Sequence, residues 1–451
     1  MRFGTLAGRR LLFVSLSGVR IVDDELRAIG LSLPGFIERG KTIAALPSLG
    51  LLTLAAHTPE HWQIGYREFD ALCPGDAEQL ADEGWTLIAI SALSARILEA
   101  YRFADELRAL GMSVVLGGLH VSALPDEAEP HADAVVVGQG EPAWPDLLRD
   151  FEAGAPRRRY EVPRSARVLK RKQRPVPRYD LLRPERYNRI PLMTVRGCPL
   201  DCSFCAASRT ISDYQIADLD DVARDLTTIG ELWHKPFLEL ADDNTFASRR
   251  RGRELARLLG QSGARWFTET DISVADDLEL LDTLASSGCA QLLIGLESAR
   301  RSSLMGVDSR GFKWARADRY AESIGRIQSR GISVNGCFVL GFDDDDESVF
   351  VDTFELVQRL QLAEVQITLL TPFPGTRLYA ELKHQNRLLP SADWSQCTLF
   401  DVTFEPARMS VDTLKTGFRD LMRALYAEDE VARRKRVYRQ CQKQKRTHQP
   451  V

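Results

Sequence analysis

Gly197-Cys198-Pro199-Leu200-Asp201-Cys202-Ser203-Phe204-Cys205 sets three thiols on one short loop, in a chain of 451 residues with only 8 cysteines. The C-x3-C-x2-C spacing lets a single loop wrap an iron–sulfur cubane, so that three irons each receive a thiolate and the fourth has no protein ligand. An iron left open is a place where a small molecule binds and exchanges electrons. The loop follows the apolar run Ile190 to Val195 and precedes Ala206-Ala207-Ser208, so it is expected where a strand hands over to a helix. Structural zinc takes four ligands, usually as two separated pairs, and no second pair follows here. Cys73, Cys289, Cys337, Cys397 and Cys441 stand singly and are expected to be small buried hydrophobes or inert thiols. A disulfide framework is not expected in a long chain of average composition without a secretory leader.

With Gly197 before it and Phe204 before its last cysteine, the loop resembles the signature of the radical S-adenosylmethionine (SAM) enzymes. The resemblance implies a 4Fe-4S cluster held by Cys198, Cys202 and Cys205. It implies that the open iron chelates the amino and carboxylate groups of SAM, and that one electron cleaves the sulfonium to a 5′-deoxyadenosyl radical. Phe204 becomes an adenine-side contact by the same resemblance, with a core aromatic as the alternative.

Downstream, apolar runs alternate with amphipathic stretches. Strands are expected at Pro236–Leu240, Arg265–Thr270, Ala290–Leu296, Ser333–Leu340 and Val365–Leu370, and helices at Arg253–Leu259, Asp277–Ala285 and Trp314–Ser329. Such alternation predicts a parallel sheet with right-handed crossovers, closed into a partial or full barrel. Ligand-binding groups then gather at the carboxyl ends of the strands, where Asp242-Asp243-Asn244, Glu269, Glu297-Ser298, Asn335, Gly341 and Thr371 fall. Several segments resemble motifs of the same family. Asp242 and Asp243 stand where it contacts the cofactor's amino group, and Glu297 and Ser298 where it contacts ribose or carboxylate. Gly341 belongs to a glycine motif near the adenine, and Pro372-Phe373-Pro374-Gly375-Thr376 resembles the turn after the sixth strand. For Glu297 the alternative is an ion pair with a neighbour such as Arg300.

The N-terminal third carries a second strand set, Leu11–Leu16, Gln63–Tyr66, Leu87–Ser91, Ser113–Leu116 and Ala134–Val137, with a helix over Ile97–Leu110. It predicts a doubly wound sheet of ordinary domain size. Val115 to Val121 together with Ala134 to Glu141 resembles the cobalamin-binding domain that precedes radical SAM domains in a large enzyme class. Ser91, Leu93, Gly117, Gly118, Gly138, Gly140 and Glu141 are the cobalamin-side residues this implies. The Asp-x-His-x-x-Gly motif of a histidine beneath cobalt is absent, so His120 is expected to be structural or near the nucleotide tail.

The fold expected is therefore α/β: a Rossmann-like cobalamin-binding domain (residues 1–155), a linker (156–189), a radical SAM partial barrel (190–385) and a helical C-terminal region with a basic tail (386–451). Net charge of -4 with 27% charged residues gives no global pull toward nucleic acid. No run is long and apolar enough to span a membrane. The basic start Met1-Arg2-Phe3-Gly4 leads into a strand and reads as no signal peptide, which with an oxygen-sensitive cluster suggests the cytoplasm. The proline-punctuated run from Arg157 to Arg178 is expected to be an exposed linker, and Arg433 to Arg446 a solvated helix or disordered end.

Three cofactors are thus implied: a 4Fe-4S cluster, SAM and cobalamin. The favoured reading is methylation of an unactivated carbon of a small-molecule or natural-product substrate, with an external flavodoxin- or ferredoxin-type electron donor. The alternatives are a cyclase or rearrangement enzyme with the same cofactors, and a corrinoid or redox sensor without turnover. Anaerobic reconstitution should load about four irons and four sulfides. Replacing Cys198, Cys202 and Cys205 together with Ala should abolish the cluster's absorbance; a triple variant that keeps it would refute the ligand set.

Overall fold

The computed structural model describes residues 9–448 except 17, 19–20, 23, 29–45, 170–173 and 208–209, so the chain start and Ser208 discussed above lie outside the described residues. Strands β1 (Arg10–Leu16), β2 (Gln63–Glu68), β3 (Leu87–Ala92), β4 (Ser113–Gly117), β5 (Ala134–Val137) and β6 (Arg159–Glu161) form one parallel sheet. Leu11 to Val14 of β1 are buried on both faces, which is why this strand reads as an unbroken apolar run. The strand order is β2-β1-β3-β4-β5-β6. The order reverses at β1, so a crevice opens above the carboxyl ends of β1 and β3, where doubly wound sheets bind ligands.

The stretch expected to be an exposed linker instead supplies the sixth strand. Val136 pairs with Tyr160, and Tyr160, Val168, Leu169, Tyr179 and Leu182 are all buried. Its arginines hide the strand in the sequence because they fold outward: Arg158 donates to the Ala132 carbonyl (3.0 Å) and Arg159 to Glu129 (2.6 Å). Charged side chains of this kind are common on edge strands, where they discourage pairing with other chains.

The second sheet contains β7 (Ile190–Leu192), β10 (Phe237–Leu240), β11 (Arg265–Thr270), β12 (Cys289–Glu297), β13 (Ser333–Leu340) and β14 (Glu364–Leu369). All pairings are parallel and the order is β14-β13-β12-β11-β10-β7, the sequential order of an open barrel. Between β7 and β10, β8 (Val195–Arg196) and β9 (Gln215–Ile216) pair antiparallel and clasp the base of the cysteine loop.

Amphipathic helices coat the barrel. The helix Leu278–Ser286 starts where Asp277 accepts the Leu280 N–H (2.9 Å), and it buries Leu280, Leu281, Leu284 and Ala285. The single helix expected over Trp314–Ser329 is divided into Phe312–Arg316, a tight 3-10 turn at Ala317–Arg319 and Tyr320–Gln328, which brings Lys313 inward as a buried side chain. The C-terminal helix Val411–Leu425 is capped by Ser410 and packs Leu414, Phe418, Leu421 and Leu425 inward. The basic tail is the helix Glu428–His448. It is helical, as one of the two expectations had it, but docked along one face: Arg434 and Cys441 are buried and Tyr438 is half-buried. Positions 434, 438 and 441 recur at helical spacing, so one face docks while the charges of the other face water.

Arg196, one strand end before the loop, reaches from the barrel into the first sheet's side of the molecule. Its guanidinium lies 2.7 Å from Glu141 and donates to Gln139 Oε1 (2.9 Å), with both members of the ion pair buried. Burial alone would raise Glu141, but the adjacent Arg196 charge holds its carboxyl below the usual range. Removing one partner of a buried pair costs about 3–5 kcal/mol because the other charge is stranded. Arg196→Met should therefore lower Tm in circular dichroism melts by several degrees, and adding Glu141→Leu should recover most of it. An unchanged Tm in the single variant would show that the pair does not hold the halves together.

Candidate active site

The barrel mouth is built around the loop that β8 launches. Asp242, just past β10, accepts hydrogen bonds from Thr194 N (2.7 Å), Val195 N (2.9 Å), the Thr194 hydroxyl and Thr245 Oγ1 (3.0 Å). Burial pushes its carboxyl up to about 6, against those donors. Asp242 thus clamps the backbone that enters the loop. Its neighbour Asp243 instead faces a pocket of about 260 Å³ shared with Cys198, Cys202, Cys205, Phe204 and Glu297.

Among the described residues no three His, Cys, Asp or Glu side chains gather around a point as the ligands of one ion would. The thiols are spread along one pocket wall, a donor set that suits a cluster with one iron per thiolate. Asn244 aims its side-chain N–H at Cys198 Sγ (3.8 Å) while holding Asp271 (2.8 Å), the kind of contact that tunes a cluster's potential. Burial, the largest cause in each case, pushes Cys202 up to about 12 and Cys205 up to about 11, so the free thiols are protonated and iron loading releases protons. The 4Fe-4S cluster therefore fits these residues. Phe204 meets Phe342 edge-on, with ring centroids 5.8 Å apart, and forms a flat apolar wall beside the thiols.

The far side of the pocket holds an ion pair that the sequence concealed. Glu297 Oε1 lies 2.7 Å from Lys313 Nζ, which also donates to the Gly295 carbonyl (2.7 Å). Arg300, the partner named in the alternative reading of Glu297, turns away to Asp346 (2.9 Å) and Asp352 (3.3 Å). Burial alone would lower Lys313, but Glu297 overrides it and holds the ammonium above its ordinary range. Glu297 sits at φ 68 where the β12–β13 register shifts, a left-handed conformation that costs a non-glycine residue on the order of 1–3 kcal/mol. Glycine at 295 leaves room for the ion pair, since a Cβ there would press on the Glu297 carboxylate and the Lys313 ammonium. Asp243, Asp271 and Glu297 against one lysine make the pocket acidic, which complements the sulfonium and ammonium of SAM.

A larger cavity of about 680 Å³ runs from the carboxyl ends of β3 and β4 past the loop into the barrel. Leu93, 44% exposed, faces it from the first sheet, as do Ser94 and Leu119. Ser91 and Gly118 approach each other at the carboxyl ends of β3 and β4, where a Cβ on Gly118 would lie 3.0 Å from Ser91 Oγ, and Gly117 is next to them. These fit a flat corrin laid against the sheet end. Gly138 and Gly140 are placed otherwise. Gly138 (φ 87) lets the chain pass the Val162 carbonyl, which a Cβ would strike, and Gly140 abuts Leu54. Glu141 is the ion-pair partner of Arg196. His120 is buried, with its ring nitrogens 3.0 Å from Ser94 Oγ and 3.2 Å from Glu127, and it packs edge-on against Trp394. Both nitrogens are already partnered, and the ring also borders the larger cavity, a position compatible with either expected place, structural or near the nucleotide tail.

Of the SAM-side residues, Phe204, Asp243 and Glu297 share the pocket. Asp242 clamps the loop, Ser298 accepts the Arg300 N–H (3.1 Å), and Gly341 packs against Phe404 while donating to Asp345 (2.9 Å). Lys313 was not singled out from the sequence, because a lysine within an amphipathic helix carries no local mark of burial, whereas Asn244 was named as part of the stretch at the end of β10.

Comparison with known proteins agrees with this geometry. Residues 192–357 match the radical SAM superfamily, residues 41–148 the B12 binding domain, and residues 376–451 a domain of unknown function. A bacteriochlorophyllide d C-12(1)-methyltransferase of Chlorobaculum tepidum is 26% identical, over 80% of this chain and 79% of that one. An anaerobic magnesium-protoporphyrin IX monomethyl ester cyclase of Cereibacter sphaeroides is 23% identical, over 84% of this chain and 65% of its own. The structure of the radical SAM methyltransferase TsrM of Kitasatospora setae superposes with a TM-score of 0.66 at 18% identity, covering 86% of this chain and 79% of TsrM, a likeness of fold.

Glu297→Gln should weaken SAM binding about ten- to hundredfold, the loss of one charge-assisted hydrogen bond worth roughly 1.5–3 kcal/mol. Anaerobic calorimetric titration of cluster-loaded protein measures it, with iron content unchanged. If the carboxylate serves only to neutralise Lys313, the variant will lose thermal stability while its SAM affinity stays the same.

Proposed function

We propose that this chain, which belongs to the cobalamin-binding radical SAM enzymes, methylates an unactivated carbon of a small molecule held between its two sheets. The observation that carries the reading is continuity: Ala207, Glu269, Leu293 and Gln366 line both the cysteine pocket and the larger cavity. A substrate in that shared space lies within reach of both cofactor sites at once. When bound, the cofactors supply one-electron cleavage of SAM and a transferable methyl group.

The chain's own residues do the rest. Cys198, Cys202 and Cys205 hold the cluster, and Asn244 supports the first of them. Phe204 and Phe342 wall the adenine side, and Glu297 with Lys313 holds the polar end of SAM. Leu93, Leu119, Phe267 and Phe373 give the larger cavity apolar walls, which exclude water from a reactive carbon. In this reading the chain divides into a cobalamin-binding part (1–155), a connecting segment (156–189) that adds the sixth strand to the first sheet, a radical SAM part (190–385) and an accessory part (386–451). An external flavodoxin- or ferredoxin-type donor supplies the electron. The setting is the cytoplasm, in keeping with an oxygen-sensitive cluster. No helix among the described residues is long and apolar enough to cross a membrane.

Similarity to a cyclase keeps one second reading in play: ring formation or rearrangement with the same cofactors. The two differ in the fate of the methyl group. A strain overexpressing the protein and fed methyl-labelled methionine should accumulate a metabolite that carries one labelled methyl. In vitro, two SAM should be consumed per product. An expression-dependent product without the label, formed with one SAM, would establish the cyclase reading instead.

A further inference from the structure

Leu388 to Phe404, in the accessory part, form a strap beside the larger cavity. Its neck is closed: Leu388 and Phe404 bridge antiparallel, the Leu389 N–H donates to the Thr403 carbonyl (3.1 Å) and the Glu405 N–H to the Arg387 carbonyl (2.8 Å). One flank is tied to the barrel, where the Leu369 N–H at the end of β14 donates to the Leu399 carbonyl (2.7 Å). The other flank is tied to the first sheet's side. Trp394 donates its indole N–H to Glu127 (3.0 Å) and stands edge-on to the His120 ring, with centroids 5.1 Å apart. Its other neighbour is Tyr379 on the barrel helix Arg377–His384 (5.8 Å). The strap therefore joins both halves of the molecule, and its Cys397, Thr398 and Leu399 line the cavity between them.

The backbone singles out Leu399. Among the described residues five non-glycine residues have positive φ, and of these Glu297 and Leu399 line the two cavities of the site. At φ 72 the Cβ of a leucine crowds its own backbone, a conformation that glycine adopts freely. The residues on either side impose it. Thr398 and Phe400 are both buried, and the Thr398 hydroxyl accepts the Phe400 N–H (3.1 Å) while donating to Asp401. Asp401 in turn accepts the Val22 N–H (3.2 Å), and the Phe400 ring packs beside Phe418 (6.3 Å). Leu399, held between these anchors, stays half-buried at the cavity wall. Strained residues of this kind cluster at functional sites, and a leucine where glycine would relax the turn points to a use for the side chain.

We propose that Leu399 is a specificity-determining residue: its side chain limits the girth of the substrate that the larger cavity admits, and Trp394 is the positioning residue that keeps it in place. This rests on the reading of the larger cavity as the substrate site. Leu93, Leu119 and Phe373 line the same space, so the part of the substrate that meets Leu399 is a slender apolar group. Because the strap is tied to both sheets, Leu399 keeps a fixed place relative to both cofactor sites and so governs which carbon of a given substrate lies between them.

The test uses full-length protein loaded with cluster and cobalamin, and two probes that share one hydroxyl but differ in girth, 1-hexanol and 1-adamantanol. Anaerobic calorimetry should show Leu399→Ala raising the affinity for adamantanol about tenfold relative to hexanol, at unchanged iron and cobalamin content, because even one methylene in an apolar pocket is worth that much. Leu399→Phe should shift the ratio the other way. If Leu399→Ala does not fold, Leu399→Gly carries the test, since glycine takes up φ 72 without strain. A leucine that merely fills the core would lower Tm and leave the ratio where it was. An unchanged ratio in loaded variants, or no binding of either alcohol to any of the proteins, would overturn the proposal. Trp394→Phe keeps an aromatic ring but loses the bond to Glu127. It should speed amide hydrogen exchange across residues 389–403 and relax the discrimination in the direction of Leu399→Ala; faster exchange with discrimination intact would overturn the positioning role. Failure of the methyltransferase reading would show separately, as wild-type protein that takes up no cobalamin or releases no 5′-deoxyadenosine.

Discussion

Thr194 gives its backbone N–H and hydroxyl to Asp242, and Val195 gives the same carboxylate its own N–H. The next residue, Arg196, is fixed by Glu141 and Gln139 across the boundary between the sheets. Three successive residues are therefore held by buried acids from two different parts of the fold, immediately before Gly197 and Cys198. A buried carboxylate is tolerable only when hydrogen-bonded or paired, so each of these acids is locked to one geometry. The position of the cysteine loop relative to the first sheet follows from that lock. The distance between the two cofactor sites, and the cavity between them, depend on it in turn.

On the opposite wall the chain accepts local strain. Glu297 adopts a left-handed conformation where the β12–β13 ladder slips by a residue, which turns its carboxylate toward Lys313 and the cysteine pocket. Strained residues persist where surrounding contacts over-determine them, and here Gly295 clears the space while Lys313 pins both the carboxylate and the backbone. The result is a pocket acidic enough for a cationic cofactor yet shaped by one fixed cation. Deeper in the barrel, Glu269 lines both this pocket and the larger cavity.

How much of this was legible in the sequence depended on whether the information was local. The cysteine loop, the apolar strands and the glycine turns are short-range patterns, and the parallel sheets rise where those patterns fall. Glu297 was legible because it follows an apolar run that had to be buried. Its partner was not, because Lys313 arrives from a helix that the sequence presents as one continuous amphipathic stretch and the structure breaks. Asp242 and Glu141 were recognised as positions of interest, but paired acids and Gly-Glu turns look alike whether they meet a ligand or a backbone. The strand Arg159–Glu161 and the docked tail helix were hidden by their arginines, which mask the apolar face that packs.

The central claim is that both cofactor sites open onto one space. Electron paramagnetic resonance of the fully loaded protein, with the cluster reduced and cobalt as Co(II), tests it directly. Two paramagnets bordering a single cavity must broaden or split each other's signals, and the coupling should weaken in Arg196→Met, where the loop is no longer held against the first sheet. Two undistorted, independent signals in the wild-type protein would contradict the account.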